Sequence, residues 1–238
     1  MGSLLKIVKK INPYDKVIHV DGDKSLSIRW VLLASQATGK SRAYNLLMSE
    51  DVIAALDTIK KLGTKVSIHK KYCEIVGNGI NGFKYKKNLT LDAKNSGTLG
   101  RLILGLLIKS PQRIKLIGDR SLSKRDFSRV TTPLKKFGAK FYYKNKNKLP
   151  LSILGSKDIK GIKYLENKGS AQCKSSVMFA ALNASGTTSI KAKKSRNHSE
   201  LLFKYLNIPL KIKKDKEYDF INIKKPKKIK AFKSQFPG

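Results

Sequence analysis

NSGTLGRLILGLLIK, residues 95–109, joins a short polar opening to a long apolar stretch. Small polar residues are typical of a helix N-terminus, so this pattern predicts a helix over Leu99–Lys109. Ser110 ends that helix, and Arg113–Ile117 is predicted to be a strand. The unit continues with a second polar opening, a second helix, a glycine cap and a second strand, at Ser121–Arg125, Asp126–Phe137, Gly138 and Lys140–Tyr143.

The same order of features occurs twice more in the chain. The first copy is predicted to contain helix Leu26–Ala37, a turn at Gly39, helix Val52–Leu62, a cap at Gly63 and strand Lys65–His69. The third is predicted to contain helix Cys173–Asn183, a turn at Gly186, strand Thr188–Ala192, helix His198–Leu206, a cap at Asn207 and strand Leu210–Lys213. Gly or Asn just past a helix readily adopts the left-handed conformation that ends it, which explains why these residue types recur at the equivalent positions.

The repeats predict the fold class. Three copies of a strand–helix–strand–helix–strand unit make an α/β domain with mixed sheets. The units are expected to pack about a pseudo-threefold axis. Chance likeness among unrelated α/β segments is the alternative explanation.

Length and composition exclude several classes of protein. The chain has 238 residues, of which 40% are hydrophobic, enough to build a core. Apolar runs recur throughout, which argues against disorder, and none approaches the ~20 residues of a membrane span. The two cysteines, Cys73 and Cys173, form neither a disulfide framework nor a metal motif. We therefore expect a soluble cytoplasmic protein without a metal.

The charge of the chain is strongly positive. Its 51 Lys and Arg residues against 16 Asp and Glu give a net charge of +35. Such a charge suits a nucleic-acid-binding protein, because lysine contacts to phosphate release counterions. However, the lysines are spread along the chain, arginine is scarce, and aromatic residues do not interleave with the bases. A compositional origin is favoured, and a basic polyanion-binding domain remains the alternative.

An anion site is predicted where the three first helices begin. Their openings are Lys24-Ser25, Ser96-Gly97-Thr98 and Ser170-Ala171-Gln172. A helix N-terminus offers unpaired N–H groups and a partial positive charge, and three units around one axis would bring three such ends to one face. Arg29, Arg125 and Arg196 follow in or near the same units. Simple helix capping by Ser and Thr is the alternative.

Other sequence signals point away from common catalytic motifs. Gly39-Lys40-Ser41 resembles the end of a P-loop, but Ala34 stands where that motif needs its first glycine. His198 has no Ser or Cys partner at a recognisable spacing. No pair of carboxylates stands out for general acid–base catalysis.

Seven short motifs resemble those of the enolpyruvyl transferases, and most closely the EPSP synthase branch of that family. They run in the family's order across nearly the whole chain, at Gly22–Arg29, Asn45–Leu47, Leu91–Arg101, Gly118–Arg125, Leu149–Leu151, Ser170–Ser175 and Ser195–Glu200. The branch that acts on UDP-N-acetylglucosamine shares the fold and is the alternative. The stretch Ser195-Arg-Asn-His-Ser-Glu200 favours the branch that acts on shikimate 3-phosphate.

The resemblance implies a fold, a reaction and a pathway. The fold would have two domains of three units each, with the active site in the cleft between them. The reaction would transfer the enolpyruvyl group from phosphoenolpyruvate to the 5-hydroxyl of shikimate 3-phosphate, releasing phosphate. It would serve the shikimate pathway of aromatic amino-acid biosynthesis and need no cofactor. The partners would be these two small molecules, without a membrane or a specific nucleic acid, and the protein would be a monomer.

The resemblance also implies roles for individual residues. It assigns catalysis to Lys24. It assigns shikimate 3-phosphate binding to Lys24, Ser25, Arg29, Ser170, Ala171, Gln172 and Arg196. It assigns phosphoenolpyruvate binding to Lys24, Asn95, Gly97, Thr98, Arg125 and Gln172.

The chain departs from the family pattern in a few residues and in length. Asp21, Ile28, Lys94 and Asn197 replace residues usual in the family, and Lys94 stands where Gly is usual before Asn95. Family members are longer, so the chain is expected to be an N-terminal fragment that holds half the active site and is inactive alone. Residues 1–20 would belong mostly to the other domain, residues 21–232 to the three-repeat domain, and residues 233–238 to the start of the crossover.

Overall fold

The computed structural model describes residues 20–236, together with residues 6, 8–10, 12, 13 and 15–18. The helices of these residues are Lys24–Gln36 (α1), Glu50–Lys61 (α2), Gly97–Leu106 (α3), Arg120–Ser123 (α4), Ser128–Lys136 (α5), Ala171–Ala181 (α6) and His198–Tyr205 (α7). A 3-10 turn, Leu107–Lys109, extends α3. The strands are Ala37–Tyr44 (β1), Lys65–Ile68 (β2), Tyr72–Asn78 (β3), Thr90–Asp92 (β4), Ile114–Ile117 (β5), Lys140–Tyr143 (β6), Leu151–Leu154 (β7), Lys163–Glu166 (β8), Thr187–Lys193 (β9), Leu210–Lys214 (β10), Tyr218–Lys224 (β11), Ile229–Lys230 (β12) and Lys233–Gln235 (β13).

These strands form three mixed sheets of the same design. The second sheet has the order β4-β5-β7-β6 and the third has the order β8-β9-β11-β10. In each, the first two strands are parallel and the other pairs are antiparallel. The first sheet repeats this pattern as β1, β3 and β2, with β12 and β13 both lying parallel to β1. The three-repeat α/β fold is therefore confirmed.

One helix of each unit lies in the centre of the molecule. Every residue is buried from Ser27 to Gln36 in α1 and from Cys173 to Ala181 in α6, and Arg101 is the single half-exposed residue of α3. Because all sides are covered, these helices contain apolar runs rather than a narrow apolar stripe. A Cβ on Gly105 would lie 2.2 Å from the carbonyl oxygen of Ser176, so only glycine permits α3 and α6 to pack this closely.

The sheets cover these central helices on the outside, and the second helix of each unit packs between them. α2, α5 and α7 each bury part of their surface and expose the rest. The buried residues of all three units join in a single hydrophobic core. Burial of each large aliphatic side chain contributes roughly 1.5–3 kcal/mol, so this common core holds the three units together.

The predicted helices are present, with earlier starts in the central ones. The side chains of Asp23, Ser96 and Ser170 accept hydrogen bonds from the backbone N–H groups of Leu26, Leu99 and Cys173, at 2.7, 3.3 and 3.3 Å. These residues are the N-caps, and the small polar residues after them form the first helical turn. Gly63, Gly138 and Asn207 have positive φ values of 84°, 94° and 51°, as predicted for helix caps.

Two details of the predicted units need correction. Gly39 is not a turn: it lies inside β1, with φ of 99°, opposite Gly77 of β3. Each unit also has one more strand than the predicted pattern, namely β3, β7 and β11. The first strand of the first unit comes from β12 and β13, close to the end of the sequence.

The prediction for residues 1–20 falls partly on residues outside those the structure describes. It stays a prediction, as does the division at residues 21–232 and 233–238. Lys233–Gln235 pairs with Arg42–Tyr44 of β1, and Phe236 is buried.

Among the described residues, no helix has the length and apolar character required to cross a bilayer.

Candidate functional site

The N-terminal ends of α1, α3 and α6 open on two adjoining cavities. The first cavity, of about 470 Å³, is lined by the six residues predicted to bind phosphoenolpyruvate: Lys24, Asn95, Gly97, Thr98, Arg125 and Gln172. The second, of about 360 Å³, is lined by six of the seven predicted to bind shikimate 3-phosphate: Ser25, Arg29, Ser170, Ala171, Gln172 and Arg196. Lys24, the seventh, lies in the first cavity only. Thr98 and Gln172 line both cavities and form their shared wall.

Lys24 enters the first cavity from the start of α1. Its Nζ lies 2.8 Å from Oδ2 of Asp51, a residue of the first turn of α2 that also lines this cavity. Half of the Lys24 side chain is exposed, so the ion pair itself contributes little to stability. Its effect is to hold the ammonium group at the cavity that Asn95 and Arg125 also line.

The loop before α3 forms another side of the first cavity. Arg125 Nη2 lies 3.5 Å from Asn95 Oδ1, the limit of a hydrogen bond. A Cβ on Gly97 would lie 2.7 Å from Arg101 Nη1 and 3.0 Å from Arg125 Nη1, so glycine leaves room for both guanidinium groups. Lys94, in this loop, has φ of 51°.

The Lys94 conformation is one that lysine adopts less readily than the glycine expected there. Asp92 compensates by accepting from the Lys94 backbone N–H at 2.8 Å and by pairing with Lys94 Nζ at 2.9 Å. The substitution therefore leaves a defined loop, in which the Asp92 side chain holds both the backbone and the ammonium group of Lys94.

A chain of hydrogen bonds holds the shared wall in place. Arg101 Nη1 donates to Gln172 Oε1 at 2.8 Å and to the carbonyl oxygen of Gly97 at 3.2 Å. Gln172 Nε2 in turn donates to Thr98 Oγ1 at 3.0 Å. The guanidinium also lies over the ring of Phe127, 5.2 Å from its centroid. Desolvation lowers the pKa of Arg101. Arg101 thus ties the starts of α3 and α6 together.

Arg29 forms the buried base of the second cavity. It is 3% exposed and donates to Ser199 Oγ at 2.8 Å, to the Ser25 carbonyl oxygen at 2.9 Å and to Ser175 Oγ at 3.1 Å. Burial lowers its pKa to about 10, while nearby Glu200 opposes that shift. Arg29 therefore remains charged at neutral pH, and its terminal nitrogens keep N–H groups that have no hydrogen-bond partner among the described residues.

Two further polar groups shape the second cavity. Burial and the neighbouring Arg29 lower the pKa of His198, so its imidazole is neutral at neutral pH. Buried Glu166 fixes the loop before α6, because its carboxylate accepts from the Ser170 N–H at 2.8 Å and from Arg129 Nη2 at 3.0 Å. The Ser170 hydroxyl caps α6 and still has its own proton to donate into the cavity.

Several residues of the site were not identified from the sequence. Arg101 stands one helical turn after Gly97, a spacing that puts both on the same face of α3 and marks it as a candidate. Asp51 lies in the first turn of α2, where an acidic residue is ordinary, so the sequence alone does not mark it as a site residue. His198 was set aside because it lacks a nucleophilic partner, but it lines the second cavity.

The helix-capping alternative and the anion-site prediction are compatible in this structure. Ser96 and Ser170 do cap helices, whereas Ser25 lies within α1 and lines the second cavity. The three N-terminal ends meet at one surface, with four basic residues around them: Lys24, Arg29, Arg125 and Arg196. Such a surface can hold two polyanionic molecules side by side, in contact across Thr98 and Gln172.

Comparisons with known proteins identify the family of this chain. A family model described as EPSP synthase (3-phosphoshikimate 1-carboxyvinyltransferase) matches residues 8–236. The 3-phosphoshikimate 1-carboxyvinyltransferase of Streptococcus mutans serotype c is 40% identical over 189 residues, 79% of this chain and 44% of that protein. Its Streptococcus suis counterpart is 39% identical over 198 residues, 82% of this chain and 46% of that protein.

A solved structure of EPSP synthase from Acinetobacter baumannii superimposes with a TM-score of 0.84 at 31% identity, covering 92% of this chain and 49% of that one. The chain thus spans about half the length of the curated relatives it matches. The family model covers almost all of the chain. This chain belongs to the EPSP synthase family.

Proposed function

We propose that this chain supplies the binding surfaces for shikimate 3-phosphate and phosphoenolpyruvate in an enolpyruvyl transferase of the shikimate pathway. The observation that carries the proposal is the shared wall of the two cavities. Anions bound in the two cavities would meet at Thr98 and Gln172, which is the contact that group transfer between them requires.

The second cavity is the proposed site of shikimate 3-phosphate. Its phosphate would accept hydrogen bonds from Arg196 and from the hydroxyls of Ser25 and Ser170. The charge of Arg29 lies beneath this group, and the positive end of α6 faces it. Charge-assisted hydrogen bonds of this kind are roughly twice as strong as neutral ones, which suits recognition of a phosphate.

The first cavity is the proposed site of phosphoenolpyruvate. Lys24 and Arg125 would bind its carboxylate and phosphate, and Gly97 leaves the space beside them. In the reaction, the 5-hydroxyl oxygen bonds to C2 of phosphoenolpyruvate, C3 takes up a proton and the hydroxyl proton departs. C3 then loses a proton and the C2–O bond to phosphate breaks, releasing phosphate.

Lys24 would act on the charge that develops during this transfer. Its ammonium group is held 2.8 Å from Asp51 and would exchange that partner for the anionic substrate. A positive charge fixed before the reaction stabilises developing negative charge without reorganisation. None of these steps calls for a cofactor.

The domain division belongs to the same proposal. Residues 21–232 would form the three-repeat domain, residues 1–20 would lie mostly with a second domain, and residues 233–238 would begin the crossover to it. The protein would act as a monomer in the cytoplasm. The free thiols of Cys73 and Cys173 are consistent with a reducing compartment. Light scattering would test the monomeric state.

Thermal unfolding with millimolar shikimate 3-phosphate tests the proposal. A ligand that binds only the folded state stabilises it by roughly 2.7 kcal/mol at a hundred times its Kd. We expect the shift to disappear in Arg196→Ala. It should persist in Arg113→Ala, because Arg113 packs over Tyr142, away from both cavities.

Two results would contradict the proposal. One is an unfolding curve that shikimate 3-phosphate leaves unmoved. The other is a shift produced by UDP-N-acetylglucosamine in its place, which would assign the chain to the other branch of the enolpyruvyl transferases. Phosphoenolpyruvate added with shikimate 3-phosphate should raise the unfolding temperature further if the shared wall joins the two sites.

A further inference from the structure

The outward face of the third sheet concentrates positive charge. Side chains alternate between the two faces along each strand. Buried Ile190, Ile221 and Ile223 face the core together with the residues paired with them, so the residues next to these along each strand face solvent. The outward positions carry six lysines: Lys163, Lys191, Lys193, Lys211, Lys213 and Lys224. These four strands lie entirely within the described residues, and none of their outward positions is acidic. We call this surface the third-sheet face.

Two aromatic rings lie among these lysines. Tyr218 and Phe220 stand two residues apart on β11, an inner strand of the sheet. Phe220 pairs with Lys191 on one side and Lys213 on the other. Lys191 Nζ lies 4.5 Å from the Tyr218 ring centroid and 5.6 Å from that of Phe220. Aromatic and basic residues that do not interleave along the sequence therefore interleave in space, because strand pairing brings separate segments together.

A shallow depression of about 470 Å³ lies on the same face. Its outward-facing lining residues are Lys163, Leu165, Ser189, Lys191, Phe220 and Asn222. Leu165 is 56% exposed and lies on the other side of Lys191 from Phe220, so the depression has an apolar side chain as well as the ring. The depression is thus an apolar and aromatic floor with lysines at its rim, which can accept a flat ring attached to an anion.

The other two sheets provide an internal comparison. On the outward face of the first sheet, Glu74 pairs with Arg42 at 2.8 Å and with Lys40 at 3.5 Å, which neutralises part of the charge. The outward face of the second sheet carries Asp92, which pairs with Lys94. The first sheet also has two adjacent outward rings, Tyr44 and Tyr72, whose centroids lie 5.7 Å apart, but the cation over Tyr72 is Arg42, which is paired with Glu74. Among the described residues, adjacent rings surrounded by lysines that no carboxylate of the same face opposes are therefore particular to the third sheet.

We propose that the third-sheet face binds single-stranded nucleic acid without sequence preference. Bases would stack on Phe220 and Tyr218, and phosphates would contact the lysines of the neighbouring strands. The face offers lysine rather than arginine, so it lacks the planar fork that reads base edges. A duplex hides its bases, an acidic protein would not need the two rings, and a membrane surface would require more inserted apolar side chains than Leu165.

Fluorescence anisotropy of labelled oligothymidylate and oligouridylate of about 20 nucleotides, titrated with the full chain, tests this proposal. We expect Phe220→Leu, which keeps an apolar side chain but removes the ring, to weaken binding by about fivefold or more. Lys191→Gln with Lys213→Gln should weaken it and reduce the salt dependence between about 50 and about 200 mM. A duplex of the same length should bind more weakly than the single strand.

Matched variants on the first sheet are the control for charge alone. Lys40→Gln with Lys65→Gln removes the same charge from the first sheet and should leave oligonucleotide binding unchanged. An equal loss in these variants, an unchanged affinity in Phe220→Leu, or tighter binding of duplex, polyphosphate or phosphatidylserine vesicles would each overturn the proposal. Phe220→Leu should keep the shift with shikimate 3-phosphate, so failure here is distinct from failure of the proposed function.

Discussion

Gln172 borders both cavities because Arg101 fixes its amide. The guanidinium holds Gln172 Oε1 and the carbonyl oxygen of Gly97 at once, and the Phe127 ring supports it from one face. Lysine has the charge but a single nitrogen, so it cannot reproduce this planar set of contacts. The position of Gln172, and through it that of Thr98, therefore depends on the shape of Arg101 as well as on its charge.

We expect Arg101→Lys to weaken binding of shikimate 3-phosphate by about tenfold, since a lost hydrogen bond to a charged group costs roughly 1.5–3 kcal/mol. The unfolding temperature without ligand should change little, because the shorter lysine side chain can still extend to solvent from this position. Titration calorimetry measures the affinity. Arg113→Lys, at an arginine that packs on Tyr142, should bind as the unmodified chain does. Equal affinity in Arg101→Lys would show that Gln172 holds its position without Arg101.

Among the elements, α6 and α7 are joined by a buried ion pair. Lys174 Nζ lies 2.6 Å from Glu200 Oε1, and their side chains are 0% and 4% exposed. Arg29 lies in the same buried cluster, through Ser175 and Ser199. A buried ion pair adds little stability compared with apolar residues in the same place, but removal of one partner leaves the other charge buried without a counter-charge.

Glu200→Gln should therefore lower the free energy of unfolding by about 3–5 kcal/mol, because it leaves Lys174 buried without its carboxylate. Lys174→Met combined with Glu200→Gln should recover at least half of that loss, since no lysine charge remains to be buried. Urea denaturation of the two variants provides the measurement. A double variant as unstable as Glu200→Gln would show that Arg29, rather than Lys174, depends on this carboxylate.

The helices could be predicted from the sequence better than the strands. The central helices are long, apolar and capped by local residues such as Ser96 and Ser170, so nearby sequence contains the signal. β4 and β8 are only three and four residues long, and their pairing depends on distant β5 and β9. Gly39 was mistaken for a turn because glycine usually marks one. Here it takes a positive φ inside a strand.

Most of the residues that line the two cavities could be predicted from the sequence, but their contacts with one another could not. The predicted residues line the two cavities because the repeats correctly imply that three helix starts converge. The pairs Lys24–Asp51 and Arg101–Gln172 each join residues from different helices. Such contacts depend on how helices pack, which no local pattern in the sequence specifies.

At the scale of the whole molecule, repulsion between like charges dominates the surface electrostatics. A net charge of +35 leaves most lysines without an acidic partner, so compaction brings like charges together. Ion pairs that stabilise other proteins weaken in salt. In this chain, salt should also screen the repulsion between lysines, which is larger than the attraction within the ion pairs, so the net effect of salt should be stabilising.

We expect the unfolding temperature to rise as sodium chloride increases from about 10 to about 300 mM, where the screening length falls from about 30 Å to below 10 Å. A gain of about 1 kcal/mol corresponds to roughly 2–4 °C for a chain of this size. Differential scanning calorimetry can follow it. Sodium glutamate at equal ionic strength separates general screening from specific binding of chloride. A fall in unfolding temperature with salt would mean that the ion pairs outweigh the repulsion.

Because the central helices are buried and the sheets lie outside, the fold also limits where the sequence can change during evolution. Ser27–Gln36 has no side chain facing water, so a genome that drifts toward lysine codons finds almost no acceptable site there. Outward strand positions accept such changes freely, because every second residue lies away from the core. The architecture thus directs compositional drift onto the three sheet faces and away from the buried bodies of the central helices. A new surface property can evolve on a sheet while the helices that carry the two cavities stay unchanged.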